Sequence, residues 1–338
     1  MRHHPRVVPR RRSCMLLPLL LVCVLSVFVG DPFGAAAGLI SPASSNAALA
    51  SAIAASLEQR SLPESLTPSL TDTEGQNVYS IQGTSFLKQS CDPYNFMKEA
   101  LDPKPCIYGS VSAKRTIVIF GDSFVGNWLP ALNDAGKNLG YRIAAFEFAG
   151  CITSFVPPTP GVRLTAFARA CDEWHAHLPA AVQAQRPALI LAANGTPSWG
   201  VRGDLSWIQG IQRAFKEMTT ASPDTTRVIV SISPHLPEPA PSCLASYFSS
   251  IQKCNLTYKP GVLGLGLFSA SLIRDRNAAL ASHAILLSTV QWFCLKDRCP
   301  AVVKNLLVYA DADHVTTVYS EYLSRVLQKA LVSILRHG

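Results

Sequence analysis

The sequence lacks several features that would assign its class at once. It has no CxxC pair, and "CLKDRC" at residues 294–299 has no matching pair nearby, so a structural zinc site is not expected. It has no internal repeat and no heptad pattern, which excludes a repeat array and a coiled coil. Apart from residues 15–30, no apolar run is long enough to span a membrane, which excludes a multi-pass membrane enzyme.

The first 37 residues have the pattern of a secretory signal. A basic run ends at Arg12, an apolar run covers about residues 15–30, and a small-residue site follows at Ala35–Ala37. The apolar run is slightly shorter than the roughly 20 residues that a membrane span prefers. A cleaved signal is therefore expected, and an uncleaved anchor is the alternative. Without residues 1–37 the net charge falls from +8 to +4, which removes the main argument for nucleic-acid binding.

Ten cysteines occur in the chain, and eight of them lie outside the signal. An even number of cysteines is typical of an oxidised, exported domain, so we expect a secreted or extracytoplasmic protein. Each of the eight lies close to a sequence neighbour that brackets a loop. We therefore predict four local disulfides: Cys91–Cys106, Cys151–Cys171, Cys243–Cys254 and Cys294–Cys299.

Composition divides the rest of the chain into two parts. Residues 38–85 are rich in Ala, Ser and Leu with scattered Pro, which predicts a flexible tether containing one short helix at about residues 47–60. Residues 86–338 form the predicted compact domain. Within it, residues 234–266 are Pro-rich and follow neither the helix nor the strand period, which predicts a long, disulfide-stapled loop near the mouth of the site.

After Cys106, short apolar runs alternate with longer amphipathic segments. Near-continuous apolar runs are typical of strands covered on both faces, so the alternation predicts an α/β fold with a parallel sheet and helices on both sides. The predicted strands cover residues 115–120, 142–148, 188–193, 227–233, 284–290 and, less regularly, 305–310. The predicted helices cover residues 128–139, 165–185, 205–221, 269–282 and 315–335.

The stretch "FGDSFVGNWLP" (120–130) places Ser123 two residues after the first of these strands and just before a helix. In such sheets, ligands gather outside the carboxyl ends of the strands. A helix N-terminus there favours a developing oxyanion, so Ser123 is a candidate nucleophile. The alternative is ordinary, because Asp and Ser are common helix N-caps. A nucleophilic serine also needs a base and an orienting group.

The candidate base is His314 in "YADADHVTT", with Asp311 three residues earlier as the orienting carboxylate. The pattern is weak by itself, because the chain repeats it at Asp172 and His175. That second copy lies inside a predicted helix, where a surface ion pair is expected instead. His235 follows a strand end and is a reserve candidate for substrate contact, although a loop histidine without function is the commoner case.

Two further residues follow strand ends and can complete an oxyanion site. Gly150 in "FAGC" can offer an unobstructed backbone N–H, and Asn194 in "LAANGTPSW" can offer a side-chain amide. Each alone is an ordinary turn residue. Their shared placement after successive strands is the stronger signal, because loops at that edge of the sheet converge.

Together these blocks resemble the ordered motifs of the SGNH hydrolases, the GDSL-like esterases. More narrowly, "TIVIFGDSFVGNWLPAL", "CDEW" and "FCLKDRCPAVVKNLLVYADADHVT" are similar to the SGNH domain attached to bacterial membrane acyltransferases that O-acetylate cell-surface sugars. The likeness covers about residues 61–336. It implies a three-layer α/β/α sandwich with a parallel, flavodoxin-like sheet, in agreement with the fold that the apolar pattern predicts.

The resemblance also implies roles for individual residues. Ser123 is then the nucleophile, His314 the base and Asp311 its orienting carboxylate. The oxyanion hole consists of the Ser123 amide, Gly150 and Asn194. The resemblance implies no cofactor and no metal. It implies an acylated carbohydrate or glycan as substrate and a separate membrane acyltransferase as a candidate partner.

Three departures from the narrower family affect this interpretation. Phe124 stands where many members have His, Val315 stands where Leu is usual, and the chain carries no membrane-embedded acyltransferase half. The first two leave the three candidate catalytic residues intact. The third leaves the acyl donor unexplained, so the expected activity is either ester hydrolysis or transfer alongside a separately encoded acyltransferase.

The expected function is that of an exported serine esterase or O-acyltransferase that acts on O-acyl groups, acetyl first, of carbohydrate or cell-envelope glycan. One alternative is a catalytically silent binding module that holds glycan through tryptophans, with Trp128, Trp199 and Trp207 as candidates, although core packing is the commoner use of such residues. Another is a lipase-like esterase, which needs an apolar channel for a long acyl chain.

Overall fold

The structure is a computed structural model that describes residues 41–72, 100–156, 165–195, 204–258 and 267–337. The predicted signal at residues 1–37 lies outside these ranges. None of the described helices is long and apolar enough to cross a membrane. The apolar run at residues 15–30 also lies outside the described ranges, so its role as a signal or an anchor stays a prediction.

A six-stranded sheet lies at the centre of the fold. Its order is β1-β3-β2-β4-β5-β7, and all neighbouring strands are parallel except β1, which pairs antiparallel with β3 at one edge. The five parallel strands follow the 2-1-3-4-5 order of flavodoxin-like sheets. Their bounds are β1 (Cys106–Gly109), β2 (Thr116–Gly121), β3 (Arg142–Glu147), β4 (Pro187–Ala193), β5 (Thr226–Val230) and β7 (Ile285–Leu287).

Helices cover both faces of this sheet, as the apolar strands predict. Along β2, Ile117 and Ile119 belong to one hydrophobic cluster and Val118 and Phe120 to the other, and all four are fully buried. The first cluster includes residues of α1 (Asn46–Glu58), α2 (Leu129–Leu139), α7 (Thr317–Tyr322) and α8 (Ser324–His337). The second includes residues of α3 (Ala166–Ala184), α4 (Asp204–Met218) and α6 (Leu267–Ala281). The result is the predicted α/β/α sandwich.

Three elements differ from the sequence prediction. The edge strand β1 was not predicted, because four residues next to a cysteine carry little periodic signal. The predicted strand at residues 305–310 is only β10 (Leu306–Leu307), which pairs with β9 (Val302–Val303) outside the main sheet. The predicted last helix is two helices, α7 and α8, separated at Leu323.

The Pro-rich region also contains more regular structure than a loop. It forms α5 (Ala240–Ser246), a 3₁₀ turn at Ile251–Cys254 and β6 (Leu256–Thr257), which pairs with β8 (Arg298–Cys299). Cys243 and Cys254 form a disulfide within this region, as predicted. Residues 259–266 of the predicted loop lie outside the described ranges.

The predicted flexible tether is wrong for residues 41–72, which pack on the domain. Ser45 caps α1 by accepting a hydrogen bond from the Ala48 N–H. Leu49, Ile53 and Leu57, spaced four apart on one face of α1, are buried in the core. Burial of three large apolar side chains stabilises the docked position of the helix, because it removes their surface from water. The short helix itself was predicted correctly.

Backbone hydrogen bonds fix the same segment at both ends. The Ala43 N–H donates to the Tyr322 carbonyl at 2.9 Å, and the Thr67 N–H donates to the Asn305 carbonyl at 2.8 Å. The Ser56 hydroxyl accepts from the Lys304 N–H at 2.8 Å. These bonds attach the segment to the loops around β9 and β10 and to α7.

Three of the four predicted disulfides are present in the described residues. They are Cys151–Cys171, Cys243–Cys254 and Cys294–Cys299. The fourth involves Cys91, which lies outside the described residues, so its pairing with Cys106 stays a prediction. Three local disulfides support an oxidising location for the folded chain.

Candidate active site

Ser123 lies where β2 ends and the chain turns toward α2. It begins a 3₁₀ turn, Ser123–Val125, which Asp122 caps by accepting a hydrogen bond from the Phe124 N–H at 2.9 Å. Gly121, the last residue of β2, has φ +150°, and a Cβ there would lie 1.8 Å from the Ala193 carbonyl oxygen. Only glycine therefore lets β2 approach β4 closely enough to place Ser123 at the end of the sheet.

His314 and Asp311 lie on the loop between β10 and α7. One Asp311 oxygen accepts hydrogen bonds from the N–H groups of Asp313 and His314, at 2.9 and 2.7 Å, which shapes the loop into a tight turn. The other oxygen accepts from His314 Nδ1 at 2.7 Å. His314 Nε2 is then left without a proton, and it lies 2.9 Å from Ser123 Oγ. The structure thus brings Ser123, His314 and Asp311 into one hydrogen-bonded line.

The charges around this line favour a basic imidazole. Burial alone would lower the pKa of His314, but the hydrogen bond and charge of Asp311, with the charges of Asp313 and Asp122, raise it above its ordinary value. Burial alone would raise the pKa of Asp311, but His314 and two backbone N–H donors lower it to about 2. Asp311 is therefore ionised at neutral pH, and it stabilises His314 in the protonated form.

The side chain of Asn127 connects the turn that carries Ser123 to the loop that carries His314. Its Oδ1 accepts from the Val315 N–H at 2.9 Å, and its Nδ2 donates to the Ser233 hydroxyl at 3.3 Å. The side chain is almost fully buried. Sequence reasoning missed Asn127, because an asparagine at the start of a helix fits many local roles. Only the tertiary contact with Val315 reveals its role.

Gly150 and Asn194 follow the strands on either side of β2. In the registers of the sheet, Gly121 lies opposite Glu147 of β3 and Ala193 of β4, so both loops begin beside the Ser123 turn. Gly150 is exposed and has φ +79°, which favours glycine. The sheet therefore places the predicted oxyanion residues at the same edge as Ser123.

Asn194 is oriented by a neighbouring side chain. The Thr153 hydroxyl, on the loop after Gly150, donates to Asn194 Oδ1. The Nδ2 group is buried and makes no hydrogen bond of normal geometry with the described residues, although it interacts with the buried Asp275 carboxylate. Thr153 thus fixes the orientation of the Asn194 amide, and the role of that amide as an oxyanion donor stays a prediction.

Asp122 connects this loop to the Ser123 turn. Both of its oxygens accept a hydrogen bond from the Gly195 N–H, at 3.1 and 2.9 Å. Burial raises the pKa of Asp122 to about 6, against the opposing effect of the Phe124 and Gly195 N–H donors. The bond fixes the backbone next to Asn194 relative to the backbone next to Ser123.

Phe124 packs against the candidate base. Its ring centroid lies 5.1 Å from that of His314. A Cβ on Gly195 would lie only 2.5 Å from the Phe124 ring, so the Asn194–Gly195 loop closes over this ring. Phe124 therefore adds apolar packing to one side of His314 and supplies no titratable group.

The second Asp-x-x-His pattern differs from its prediction. His175 is buried in α3 and its Nε2 lies 2.8 Å from the Ile152 carbonyl oxygen, so it is not part of a surface ion pair with Asp172. The exposed ion pair of this helix is His177 with Glu173, at 3.8 Å. Burial lowers the pKa of His175 to about 4. His175 is therefore a neutral core histidine that supports the loop after Gly150.

His235, the reserve candidate, lies next to the candidate base. Its Nδ1 lies 2.9 Å from Asp313 Oδ2. The hydrogen bond to Asp313, with the charges of Asp313 and Asp311, raises the pKa of His235 against the effect of burial and of the nearby His314. The sequence signal for this contact was only the position of His235 after a strand end.

The alternative of a glycan-binding tryptophan surface is not supported by two of its three candidates. Trp128 and Trp207 are 3% and 1% exposed and belong to the two hydrophobic clusters of the core. Trp199 lies outside the described residues. Neither buried ring can stack on a sugar, so the two side chains serve the core.

The described part of the chain contains two clusters of side chains of the types that bind metal ions. Within each cluster the potential ligand atoms lie within 4.8 Å of one another. One is Cys151, Cys171 and His175, and the other is Asp311, Asp313 and His314. In the first group the two sulfurs are joined in a disulfide, which removes their thiolates. In the second, the hydrogen bonds of the Ser123–His314–Asp311 line account for the closeness.

Comparisons with known proteins concern the family and the fold. A family model described as "SGNH domain (fused to AT3 domains)" matches residues 90–329. Similar solved structures include the periplasmic domain of a lipopolysaccharide acetyltransferase from Salmonella ser. Paratyphi A, at 14% identity and a TM-score of 0.52, covering 78% of this chain and 98% of that chain. Another is a GDSL-like lipase from Bacteroides thetaiotaomicron VPI-5482, at 13% identity and a TM-score of 0.40, covering 72% of this chain and 99% of that chain.

A third similar structure is a carbohydrate acetylesterase from Sinorhizobium meliloti, at 15% identity and a TM-score of 0.38, covering 65% of this chain and 99% of that chain. No curated protein matches. At such identities the structural likeness concerns the fold alone.

Proposed function

The chain belongs to the family of SGNH domains that occur fused to AT3 domains, and from this premise we propose that it is an exported serine esterase or O-acyltransferase. The proposed substrate is an O-acylated carbohydrate or cell-envelope glycan, with acetyl as the expected acyl group. The similar periplasmic domain from Salmonella ser. Paratyphi A belongs to a lipopolysaccharide acetyltransferase, which is consistent with this substrate class. The three disulfides support export.

The observation that carries the proposal is the hydrogen-bonded line from Ser123 through His314 to Asp311. Its two side-chain links measure 2.9 and 2.7 Å. A serine hydroxyl that donates to an imidazole, itself oriented by an ionised carboxylate, is the arrangement that activates a serine for acyl transfer. Ordinary N-caps do not need a histidine and a carboxylate in line, so the N-cap alternative does not explain this geometry.

In the proposed reaction, Ser123 Oγ attacks the acyl carbonyl carbon while its proton passes to His314 Nε2. Asp311 stabilises the resulting imidazolium through Nδ1. The tetrahedral intermediate then breaks its bond to the alcohol oxygen, which leaves with the proton from His314 Nε2, and the acyl group stays on Ser123. In the second half, water or a sugar hydroxyl gives a proton to His314 and attacks the acyl carbon, and Ser123 Oγ recovers the proton.

The proposed oxyanion hole consists of the Ser123 backbone N–H, the Gly150 N–H and the Asn194 side-chain amide. The Ser123 N–H lies at the start of a 3₁₀ turn, and Asn194 Nδ2 makes no hydrogen bond of normal geometry in the described residues. Preorganised donors of this kind stabilise the charge that develops on the carbonyl oxygen.

Hydrolysis and transfer differ only in the acceptor of the second half-reaction. The family is described as fused to AT3 domains, so we propose that a separate membrane acyltransferase supplies the acyl group when the reaction is transfer. Water as the acceptor makes the same site an esterase. No change in the Ser123, His314 and Asp311 geometry is required between the two.

The direct test is labelling of the purified, disulfide-intact protein with a fluorophosphonate probe of activated serines. We expect labelling of the wild type and none of Ser123→Ala or His314→Ala. His177→Ala removes an exposed histidine of α3 and should label like the wild type. If folded wild-type protein does not label, the silent glycan-binding alternative is favoured over the enzyme. If it labels, hydrolysis of acetyl esters against long-chain esters separates the carbohydrate esterase from the lipase-like alternative.

A further inference from the structure

A second histidine–carboxylate pair lies against the proposed base. Asp313 directly precedes His314 in the chain, and its Oδ1 lies 3.3 Å from His314 Nδ1. Its other oxygen, Oδ2, lies 2.9 Å from His235 Nδ1. One carboxylate therefore lies between two imidazoles, one of which is the proposed base.

The protein backbone holds this pair in place from two sides. The Leu236 N–H, next to His235, donates to the Ala312 carbonyl at 2.8 Å. The Asp313 carbonyl accepts from the Ser233 hydroxyl at 3.2 Å and from Asn127 Nδ2 at 3.5 Å. The loop after β5 and the loop of His314 are thus joined by several bonds, so the His235–Asp313 contact is built into the fold.

The distances from His314 Nδ1 indicate different roles for the two neighbouring carboxylates. Asp311 at 2.7 Å takes the hydrogen bond, and Asp313 at 3.3 Å is too far to share it equally. Asp313 acts on the imidazole mainly through its negative charge, which favours the protonated ring. A proton on His235 offsets that charge, because it places a positive group 2.9 Å from the same carboxylate.

We propose that Asp313 and His235 are positioning residues that set the basicity of His314, with the Asp313 charge raising it and His235 limiting that effect. The inference rests on the proposed function, since it assigns His314 as the base. His235 does not touch the reacting atoms in this account. It acts through Asp313, and its side chain is 30% exposed, which gives the ring access to protons from solvent.

The charged groups that face the two histidines define what a pH experiment will observe. His314 faces Asp311 and Asp313 from its own loop, Asp122 from the turn after β2, and His235 from the loop after β5. His235 faces Asp313, Asp311 and His314. Because these groups interact, the acidic limb of the rate profile reports an apparent pKa of the cluster, and variants are compared by the shift of that limb.

The test measures kcat/KM for an acetyl ester against pH in the wild type, Asp313→Asn and His235→Asn. Asn at 313 keeps an oxygen acceptor without charge, so the acidic limb should move to lower pH by about half a unit or more. Asn at 235 keeps an N–H donor without a titrating charge, so the limb should move to higher pH. At one pH unit below the midpoint of the wild-type acidic limb, a shift of the limb by half a pH unit changes kcat/KM about threefold. We expect an increase in Asp313→Asn and a decrease in His235→Asn.

A purely structural role would lower kcat in both variants without opposite shifts of the limb. If both limbs move in the same direction, or neither moves, the inference is wrong. The matched control is His177→Asn, because His177 is exposed and pairs with Glu173 instead. This variant should leave the acidic limb unchanged. His235→Gln is the second variant at this position if His235→Asn does not fold, as judged by circular dichroism.

Failure of the proposed function gives a different pattern. In that case the wild type has no esterase activity that depends on Ser123, as Ser123→Ala would show. The basicity of His314 is still measurable then, by NMR titration of its ring protons in Ser123→Ala with and without Asp313→Asn or His235→Asn. Opposite shifts of the His314 pKa in that titration support the inference without activity, and unchanged values overturn it.

Discussion

The side chain of Asn127 accepts a hydrogen bond from the backbone N–H of Val315 at 2.9 Å. Val315 directly follows His314, and Asn127 lies four residues after Ser123. This bond therefore helps to set the distance between the proposed nucleophile and the proposed base, which come from elements 191 residues apart in the chain. A buried N–H without its acceptor would cost about 1–3 kcal/mol.

We expect Asn127→Ala to lower the free energy of unfolding by about that amount and to lower kcat by about 100-fold, because a small displacement of His314 disrupts proton transfer. Urea unfolding and ester hydrolysis measure the two effects. Asn138→Ala is the control, since the Asn138 side chain bonds to Gln328 in an exposed contact between α2 and α8. Wild-type kcat in folded Asn127→Ala would contradict the positioning role.

Asn194→Ala tests the proposed oxyanion hole. Loss of one oxyanion donor should lower kcat by about 100- to 1,000-fold with little change in KM. Thr153→Val is a companion variant, because it removes the hydroxyl that orients Asn194 Oδ1 and leaves the amide in place. We expect it to have a smaller effect in the same direction. An unchanged kcat in Asn194→Ala would exclude the side chain as a donor.

The sequence predicted the sheet and the line of Ser123, His314 and Asp311 because both leave local signals. Each strand of the parallel sheet is a short apolar run, and each of the three residues lies just outside a regular element. Gly150 and Asn194 were placed at the same edge of the sheet by the same rule, since they follow strands that pair with β2, and their oxyanion role stays a prediction. Position relative to strand ends is thus readable before the fold is known.

The sequence did not predict what depends on contacts between distant segments. Asn127 and Asp313 act through partners about 80 to 190 residues away, and nothing in their neighbours distinguishes them from ordinary turn residues. His175 was assigned to the surface because its copy of Asp-x-x-His suggests an ion pair, while its burial comes from packing against the loop at Ile152. The tether was misassigned because small residues hide the three-residue apolar face of α1.

His175 makes the stability of the domain depend on pH. Its folded-state pKa of about 4 lies below the value of 6.5 expected when unfolded. Between these values the unfolded chain binds a proton that the folded chain does not, so its contribution to stability is full above pH 6.5 and is lost as the pH falls. The loss should reach about 3 kcal/mol at pH 4.

Replacement of His175 by Gln keeps an N–H donor for the Ile152 carbonyl and removes the titration. As the pH falls from 7 to 5, we expect the unfolding free energy of the wild type to fall by more than that of His175→Gln. Urea unfolding at the two pH values measures it. His177→Gln, on the exposed side of α3, should show no such change, and an identical pH dependence in His175→Gln and wild type would contradict the burial of a neutral His175.

Ile53 decides between a docked helix and a tether for the segment before the domain. Its side chain is fully buried in the core cluster, while Glu58 on the same helix is exposed. Ile53→Ala should therefore lower the free energy of unfolding by about 2–5 kcal/mol, because it removes buried methyl groups and leaves a cavity. Glu58→Ala should change it by less than about 0.5 kcal/mol. If Ile53→Ala unfolded at the same denaturant concentration as the wild type and Glu58→Ala, α1 would not stabilise the domain. Residues 41–72 would then be a tether.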